Sequence, residues 1–274
     1  MIFRKIEVFG FKSFADKLEI DLSGGVTAIV GPNGCGKTTI IELINGLILP
    51  TSGEVIVGDV ILQNKKRPKN INELRSNVGL VYQNPEVQFF CKTVRKEIEF
   101  ALKNFNYKTE EKEKRISDAL KMVGLDDSYL ERSPFKLSKG EQRKVAIALI
   151  LAFNPKIIIM DEPTMGLDAS SRKHLIKLIK MMKIRYDKTI ILVTTDTDML
   201  HGVADYIYIV NEGRIARAGD KYEIFSDSNI LKQYRIKCPK IVEFSNLVET
   251  KKGIKIGYRD DISDLMKDVY RYVK

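Results

Sequence analysis

Apolar and polar positions follow two different periods along this chain, and the switches between them outline its elements. Up to about residue 62, short strand-like runs surround one helical run. RKIEVFGF and LEIDL read as strands, and VTAIVG (Val26–Gly31) reads as a buried strand entering a glycine-rich turn. KTTIIELINGLI carries helical spacing and ends near LPTSG. GEVIVGDVIL is again strand-like, and SNVGLVYQNP predicts a further strand that stops at Gln83–Asn84–Pro85. From about Thr93 to Phe153 the period becomes helical, in TVRKEIEFALKN, TEEKEKRISDALKMVGL and KGEQRKVAIALILAF. KIIIMDEP, ASSRKHLIKLIKMMKIRYD, TIILVT and YIYIVNEGRI then restore strand and helix in alternation. Apolar strands separated by helices predict a parallel sheet covered on both faces. The tail from about Asp220 is mixed, and there is neither an internal repeat nor a low-complexity segment.

Composition narrows the class. The chain has 274 residues, 44% of them hydrophobic, enough for one large domain with or without a small appendage. Its three cysteines, Cys35, Cys91 and Cys238, are widely spaced and form no CxxC. That pattern predicts a reducing compartment, with no disulfide framework and no zinc site. The opening MIFRKIEVFG lacks the pattern of a secretory signal. The most apolar stretch, VAIALILAFNPKIIIM, is interrupted by Asn154, Pro155 and Lys156, so it predicts a helix end, a turn and a strand, not a membrane span. The net charge of +10 fits either an anionic partner or a lysine-rich solvated surface, and the basic residues form no continuous stripe.

The first chemical motif is GPNGCGKTT, comprising Gly31, Pro32, Asn33, Gly34, Cys35, Gly36, Lys37, Thr38 and Thr39. It fits G-x-x-x-x-G-K-[ST] between a predicted strand and a predicted helix. The glycines let backbone N–H groups turn toward phosphate oxygens, and the helix N-terminus adds positive potential. Lys37 is placed to reach the β- and γ-phosphates of a nucleotide, and the Thr38 hydroxyl to ligate Mg²⁺. Cys35 is either a thiol with a lowered pKa or a small side chain that the loop tolerates.

A second motif, KIIIMDEPTMGLD, ends an apolar strand in two acids. Asp161 suits direct or indirect contact with Mg²⁺. Glu162 points to the other side of the chain and suits a general base acting on a water; an acidic helix cap is the structural alternative. A third strand, TIILVT, ends in hydroxyls and carboxylates at Thr194–Thr195–Asp196.

The order of these motifs, with Gln83 after a strand and LSKGE (Leu137–Glu141) before the second acidic strand, resembles the ATP-binding-cassette ATPases. The resemblance implies a P-loop α/β fold: a RecA-like parallel-sheet core, an N-terminal antiparallel β subdomain, a helical subdomain at about 93–153 and a C-terminal extension over 221–274. It implies ATP and Mg²⁺ as ligands, and two chains that sandwich two ATP molecules head to tail. Ser138 and Gly140 would then serve the opposite subunit's nucleotide, Gln83 would sense Mg²⁺ and the attacking water, and Gly166, Leu167 and Asp168 would form the loop between the sites. Ser138 is also a natural N-cap for the helix that follows. Two positions depart from the family's LSGGQ: Lys139 replaces a glycine, and Glu141, which can still cap locally, replaces the glutamine. For an adenine-stacking aromatic, Phe11 and Phe14 are candidates and core positions alike.

Within that family two branches compete. GFKSFADK and the phosphate loop resemble the heads of SMC chromosome proteins, with Lys12 as a phosphate contact or an exposed lysine. VGLVYQNPEVQFFCKTVRKEIEFAL, VAIALILAFNPKIIIMDEPTMGLD and SDSNILKQYRIKCPKIVEFSNL resemble the ATPase subunits of energy-coupling-factor importers, over roughly Ser52 to Leu247. Gln83 and Ser138 are 55 positions apart, too few for a coiled-coil arm. The importer resemblance implies a peripheral subunit at the cytoplasmic face of a membrane, partnered by a transmembrane component, a substrate-binding membrane protein and a second ATPase, identical or related. No nucleic-acid partner is expected. Phe89 and Phe90 are expected beside the groove for the transmembrane component, or buried. Finally, the family's strand-end histidine aligns with Thr195, while His201 lies on a helix leading away as a surface or packing residue. This predicts intact ATP binding with slow hydrolysis.

Overall fold

The structure is a computed structural model that describes residues 5–8, 17–22, 24–64, 68–105, 107, 109–254, 256–257, 259–260 and 262–272. Phe11, Lys12 and Phe14 lie outside the described residues. In chain order the elements are β1 (Lys5–Val8), β2 (Leu18–Asp21), β3 (Val26–Val30), α1 (Lys37–Ile44), β4 (Glu54–Val57), β5 (Val60–Gln63), α2 (Ile71–Asn77) and β6 (Val78–Val81). Then come α3 (Val94–Asn104), α4 (Thr109–Met122), α5 (Lys139–Ala152), β7 (Ile157–Asp161), α6 (Ala169–Tyr186), β8 (Thr189–Val193) and α7 (Thr197–Val203). The chain closes with β9 (Tyr206–Asn211), β10 (Arg214–Asp220), α8 (Lys221–Ser226), α9 (Ser228–Gln233), α10 (Lys240–Lys252) and α11 (Ile262–Tyr272).

The strands form two sheets. One is antiparallel, in the order β2-β1-β4-β5. The other runs β10-β9-β3-β8-β7-β6 and is parallel except for its edge strand β10. Residues of β7 and β8 alternate between two cores, as a pleated strand buried on both sides requires. Ile158, Met160, Ile190 and Leu192 face the helical side with α5 and α6. Ile157, Ile159, Ile191 and Val193 face α1 and the antiparallel sheet. The mixed α/β architecture expected from the periodicity is therefore present.

Two runs that read as single strands are hairpins. GEVIVGDVIL turns at Gly58–Asp59, where Gly58 takes φ +62° and lets Val57 pair with Val60. YIYIVNEGRI turns at Glu212–Gly213, both at positive φ, so that Asn211 pairs with Arg214. An unbroken β-branched run outweighs these two-residue turns in any periodic pattern. No helix among the described residues is long and apolar enough to cross a membrane.

Sheet order sets the functional edge. β8 lies between β3 and β7, with Val193 level with Ile29 on one side and Asp161 on the other. The residues that follow these three strands therefore emerge together at the carboxyl edge, where open α/β sheets bind ligands.

Candidate active site

Gly31–Thr39 joins the end of β3 to α1. Gly31 passes so close to β9 that an added Cβ would lie 2.1 Å from the Val210 carbonyl oxygen. Gly36 caps α1 at φ +102°, a conformation that favours glycine. The Lys37 side chain is buried, and its Nζ donates to the Gly31 and Pro32 carbonyls at 2.7 and 2.9 Å. Cys35 is buried, with its Sγ 3.6 Å from the same ammonium.

This loop opens on a polar cleft of about 290 Å³. Asn33, Gly34, Gly36, Lys37, Thr38, Thr39, Gln83, Asp161 and Glu162 line it together. They come from the phosphate loop, the segment after β6 and the end of β7. Thr38 Oγ1 donates to Asp161 Oδ2 at 3.4 Å. Burial and the neighbouring Glu162 carboxylate push the Asp161 pKa up, against the opposing pull of Thr38 and Lys37. A buried carboxylate disfavoured in its charged form, beside a hydroxyl, suits a hard cation with oxygen ligands. Among the described residues no cluster of three or more His, Cys, Asp or Glu could hold a metal alone.

Glu162 is tied to the neighbouring strand. Its backbone N–H donates to the Val193 carbonyl at 2.7 Å. Its Oε2 accepts from the Thr194 hydroxyl at 2.8 Å and its Oε1 from the Thr195 N–H at 2.9 Å. The Thr195 side chain is exposed and does not line the cleft, so the backbone makes that residue's contact with Glu162. Asp196 N-caps α7 and accepts from Thr164 and from both arms of Arg172. Burial alone would raise the Asp196 carboxyl. Arg172, the Met199 N–H and Thr164 outweigh it and hold the group below the ordinary aspartate range.

Gln83 reaches the cleft and donates through Nε2 to Met165 Sδ at 3.2 Å. Its carbonyl accepts from Arg143, a buried guanidinium on α5 that also donates to the Tyr82 and Met165 carbonyls. Arg143 thus bonds the Gln83 segment to the loop after Glu162. Sequence reasoning missed both Arg143 and Thr194. The one available signal for Arg143 was a cation inside the mostly apolar face of α5.

Ser138 and Gly140 lie elsewhere within the subunit. They line a second cleft of about 290 Å³ with Lys139, Lys144, Gly166 and Asp168. Ser138 N-caps α5, and Glu141 returns the bond to Ser138 N at 2.9 Å, a complete capping box. Tyr129 donates to the other Glu141 oxygen, and Lys139 pairs with Glu86. Glu141 thus caps locally, as its position suggested.

The two phenylalanines part company. Phe89 is 6% exposed and meets Phe135 edge-on, so its expected place in an open groove is incorrect. Phe90 is 62% exposed and stands edge-on to Phe100. The buried Glu97 carboxylate accepts both the Phe90 and Cys91 N–H groups and fixes the turn between these environments. His201 is buried beside Phe225, the packing alternative, and burial lowers its pKa.

The family model described as ABC transporter matches residues 17–165. An energy-coupling factor transporter ATP-binding protein EcfA2 of Enterococcus faecalis is 39% identical over 228 residues, 83% of this chain and 79% of the relative. Its counterpart in Streptococcus thermophilus is 43% identical over 231 residues, covering 83% and 81%. Among solved structures, cbiO1 from Clostridium perfringens, part of the ABC transporter complex cbiONQ, superposes with a TM-score of 0.71 at 28% identity over 89% of this chain and 99% of that one. A dimeric ATP-binding cassette in a post-hydrolysis state, bound to ADP and Pi, gives 0.66 at 26% over 78% and 98%. The SMC alternative gains no support from these relatives, and α3 and α4, at 11 and 14 residues, are too short for a coiled-coil arm. The chain belongs to the ABC transporter ATPase family, among the energy-coupling-factor transporter ATP-binding proteins.

Proposed function

We propose that this chain binds and hydrolyses ATP to drive import of a metal ion or vitamin by an energy-coupling-factor transporter. The observation that carries the reading is the convergence of Lys37, Thr38, Gln83, Asp161 and Glu162 on one polar cleft. In this reading Lys37 pairs with the β- and γ-phosphates. Thr38 and Asp161 would hold Mg²⁺, with Gln83 beside them. That ion, when bound, would supply charge neutralisation to the nucleotide phosphates. Glu162 accepts a proton from water as its oxygen bonds to the γ-phosphorus and the bond to the β–γ bridging oxygen breaks, leaving ADP and phosphate.

In this reading Ser138 and Gly140 serve the nucleotide of a partner ATPase, identical or related, and their separate cleft supports that role. Gly166, Leu167 and Asp168 lie between the two sites in that dimer. ATP would close the pair because both nucleotides gain contacts that only the closed state supplies. We assign the working location to the cytoplasmic face of a membrane, beside a transmembrane component and a separate membrane protein that selects the solute. Phe90, exposed and seven positions after Gln83, is the side chain we assign to the transmembrane component.

Coexpression with the membrane components, purification and reconstitution into vesicles tests this reading. The expected result is a stable complex with ATP-dependent solute uptake, and Phe90→Ala that weakens assembly without changing ATP binding. An ATPase that never copurifies with a membrane component, and whose turnover rises on adding DNA, would contradict it.

A further inference from the structure

The end of β8 grips Glu162 more tightly than a neighbouring strand requires. Glu162 has φ +42°, a region non-glycine residues rarely occupy. Such a conformation persists where surrounding contacts over-determine it. Here those contacts are the Val193 carbonyl on its N–H, the Thr194 hydroxyl on Oε2 and the Thr195 N–H on Oε1.

The Thr194 hydroxyl has little freedom. Thr194 is 0% exposed, and its Oγ1 accepts from the Asp196 N–H at 3.0 Å. A hydroxyl carries one proton. With an N–H already directed at its oxygen, that proton is directed to Glu162 Oε2. Asp196 is fixed in turn by both arms of Arg172 and by its cap on α7. A chain of directed bonds therefore runs from Arg172 through Asp196 and Thr194 to the Glu162 carboxylate.

We propose that Thr194 is a positioning residue for hydrolysis: its hydroxyl holds the Glu162 carboxylate in the orientation from which it takes a proton from the attacking water. The inference rests on Glu162 being the general base. Both oxygens of Glu162 are held by neutral donors, one of which comes from the side chain of Thr194 and the other from the backbone. A carboxylate keeps spare acceptor sites after two such bonds, so the water can still be bound.

Steady-state ATP hydrolysis and equilibrium binding of a fluorescent ATP analogue, measured on the full chain, separate the two ideas. Thr194→Val should lower kcat about tenfold, as expected for a misoriented catalytic group, while KM and analogue affinity stay within about twofold. Thr194→Ser should retain most of kcat, because serine supplies the same proton. In a Glu162→Gln background, adding Thr194→Val should change the residual turnover less than about twofold, since residues acting as one unit are not additive. Should Thr194→Val fail to fold, Thr194→Cys replaces it, the thiol being a weak donor. Wild-type kcat in the valine or cysteine variant, with Glu162→Gln inactive, overturns the proposal for Thr194 alone. Equal losses in the serine and valine variants overturn it too. Full turnover in Glu162→Gln overturns instead the assignment of the base.

Discussion

β7 and β8 lie side by side in register and end at the same level, yet they bring opposite chemistry to that edge. β7 ends in two carboxylates, Asp161 buried and Glu162 facing the cleft. β8 ends in hydroxyls and N–H groups at Thr194 and Thr195, with its one acid, Asp196, turned away onto Arg172. In the proposed mechanism β7 provides the charge and β8 holds it in place. A parallel sheet makes this division possible because its register is carried by backbone bonds and leaves the strand-end side chains free.

That contrast breaks first on the β7 side. Asp161→Asn should reduce Mg²⁺-dependent ATP turnover about a thousandfold, since a lost metal contact removes several kcal/mol of transition-state stabilisation. Titrating Mg²⁺ against turnover checks this: a raised Mg²⁺ requirement is expected, and wild-type turnover with an unchanged Mg²⁺ dependence would place Asp161 outside the metal's reach.

On the β8 side the expected losses are smaller, and at Asp196 they appear as stability. Asp196→Asn should cost about 1–2 kcal/mol at neutral pH through the lost bonds to Arg172 and the α7 cap. Because the folded-state pKa of Asp196 lies below its ordinary value near 3.8, its contribution is complete above that value. It disappears as the pH falls through the folded pKa. Denaturant unfolding of both proteins should therefore show a gap at pH 7 that closes below about pH 4.

The smallest effect concerns Thr195, the position at which the sequence resemblance implies a histidine. Thr195→His should raise turnover several-fold if the longer imidazole extends from this exposed position into the phosphate cleft as a charge-assisted donor. Unchanged turnover in a wild-type protein that already hydrolyses ATP quickly would mean that the neutral edge is sufficient by itself.

These differences in scale parallel what could be read before the fold was known. The phosphate loop was legible because its chemistry is contiguous: strand, glycines, Lys37 and Thr38 lie within one short stretch. The Ser138–Glu141 capping box was legible for the same reason, since its partners are three positions apart. Thr194 was not, because its partner Glu162 lies 32 positions away and meets it only through the pairing of Asp161 with Val193. Arg143 was hidden similarly, with its carbonyl partners on the Gln83 segment and the loop at Met165. Phe89 and Phe90 show a different limit. Hydropathy is the same for both, and the turn pinned by Glu97 decides which one is buried. The α/β alternation was legible from period alone, whereas two hairpins were lost within apolar runs whose turns depend on backbone sign at Gly58, Glu212 and Gly213.

The most direct test of the account is single-turnover ATP hydrolysis by Glu162→Gln, with nucleotide binding measured on the same sample. Retained ATP affinity with hydrolysis slowed about a hundredfold or more is the predicted result, the scale of a lost general base. Hydrolysis within a fewfold of wild type would contradict it and remove Glu162 from the chemistry.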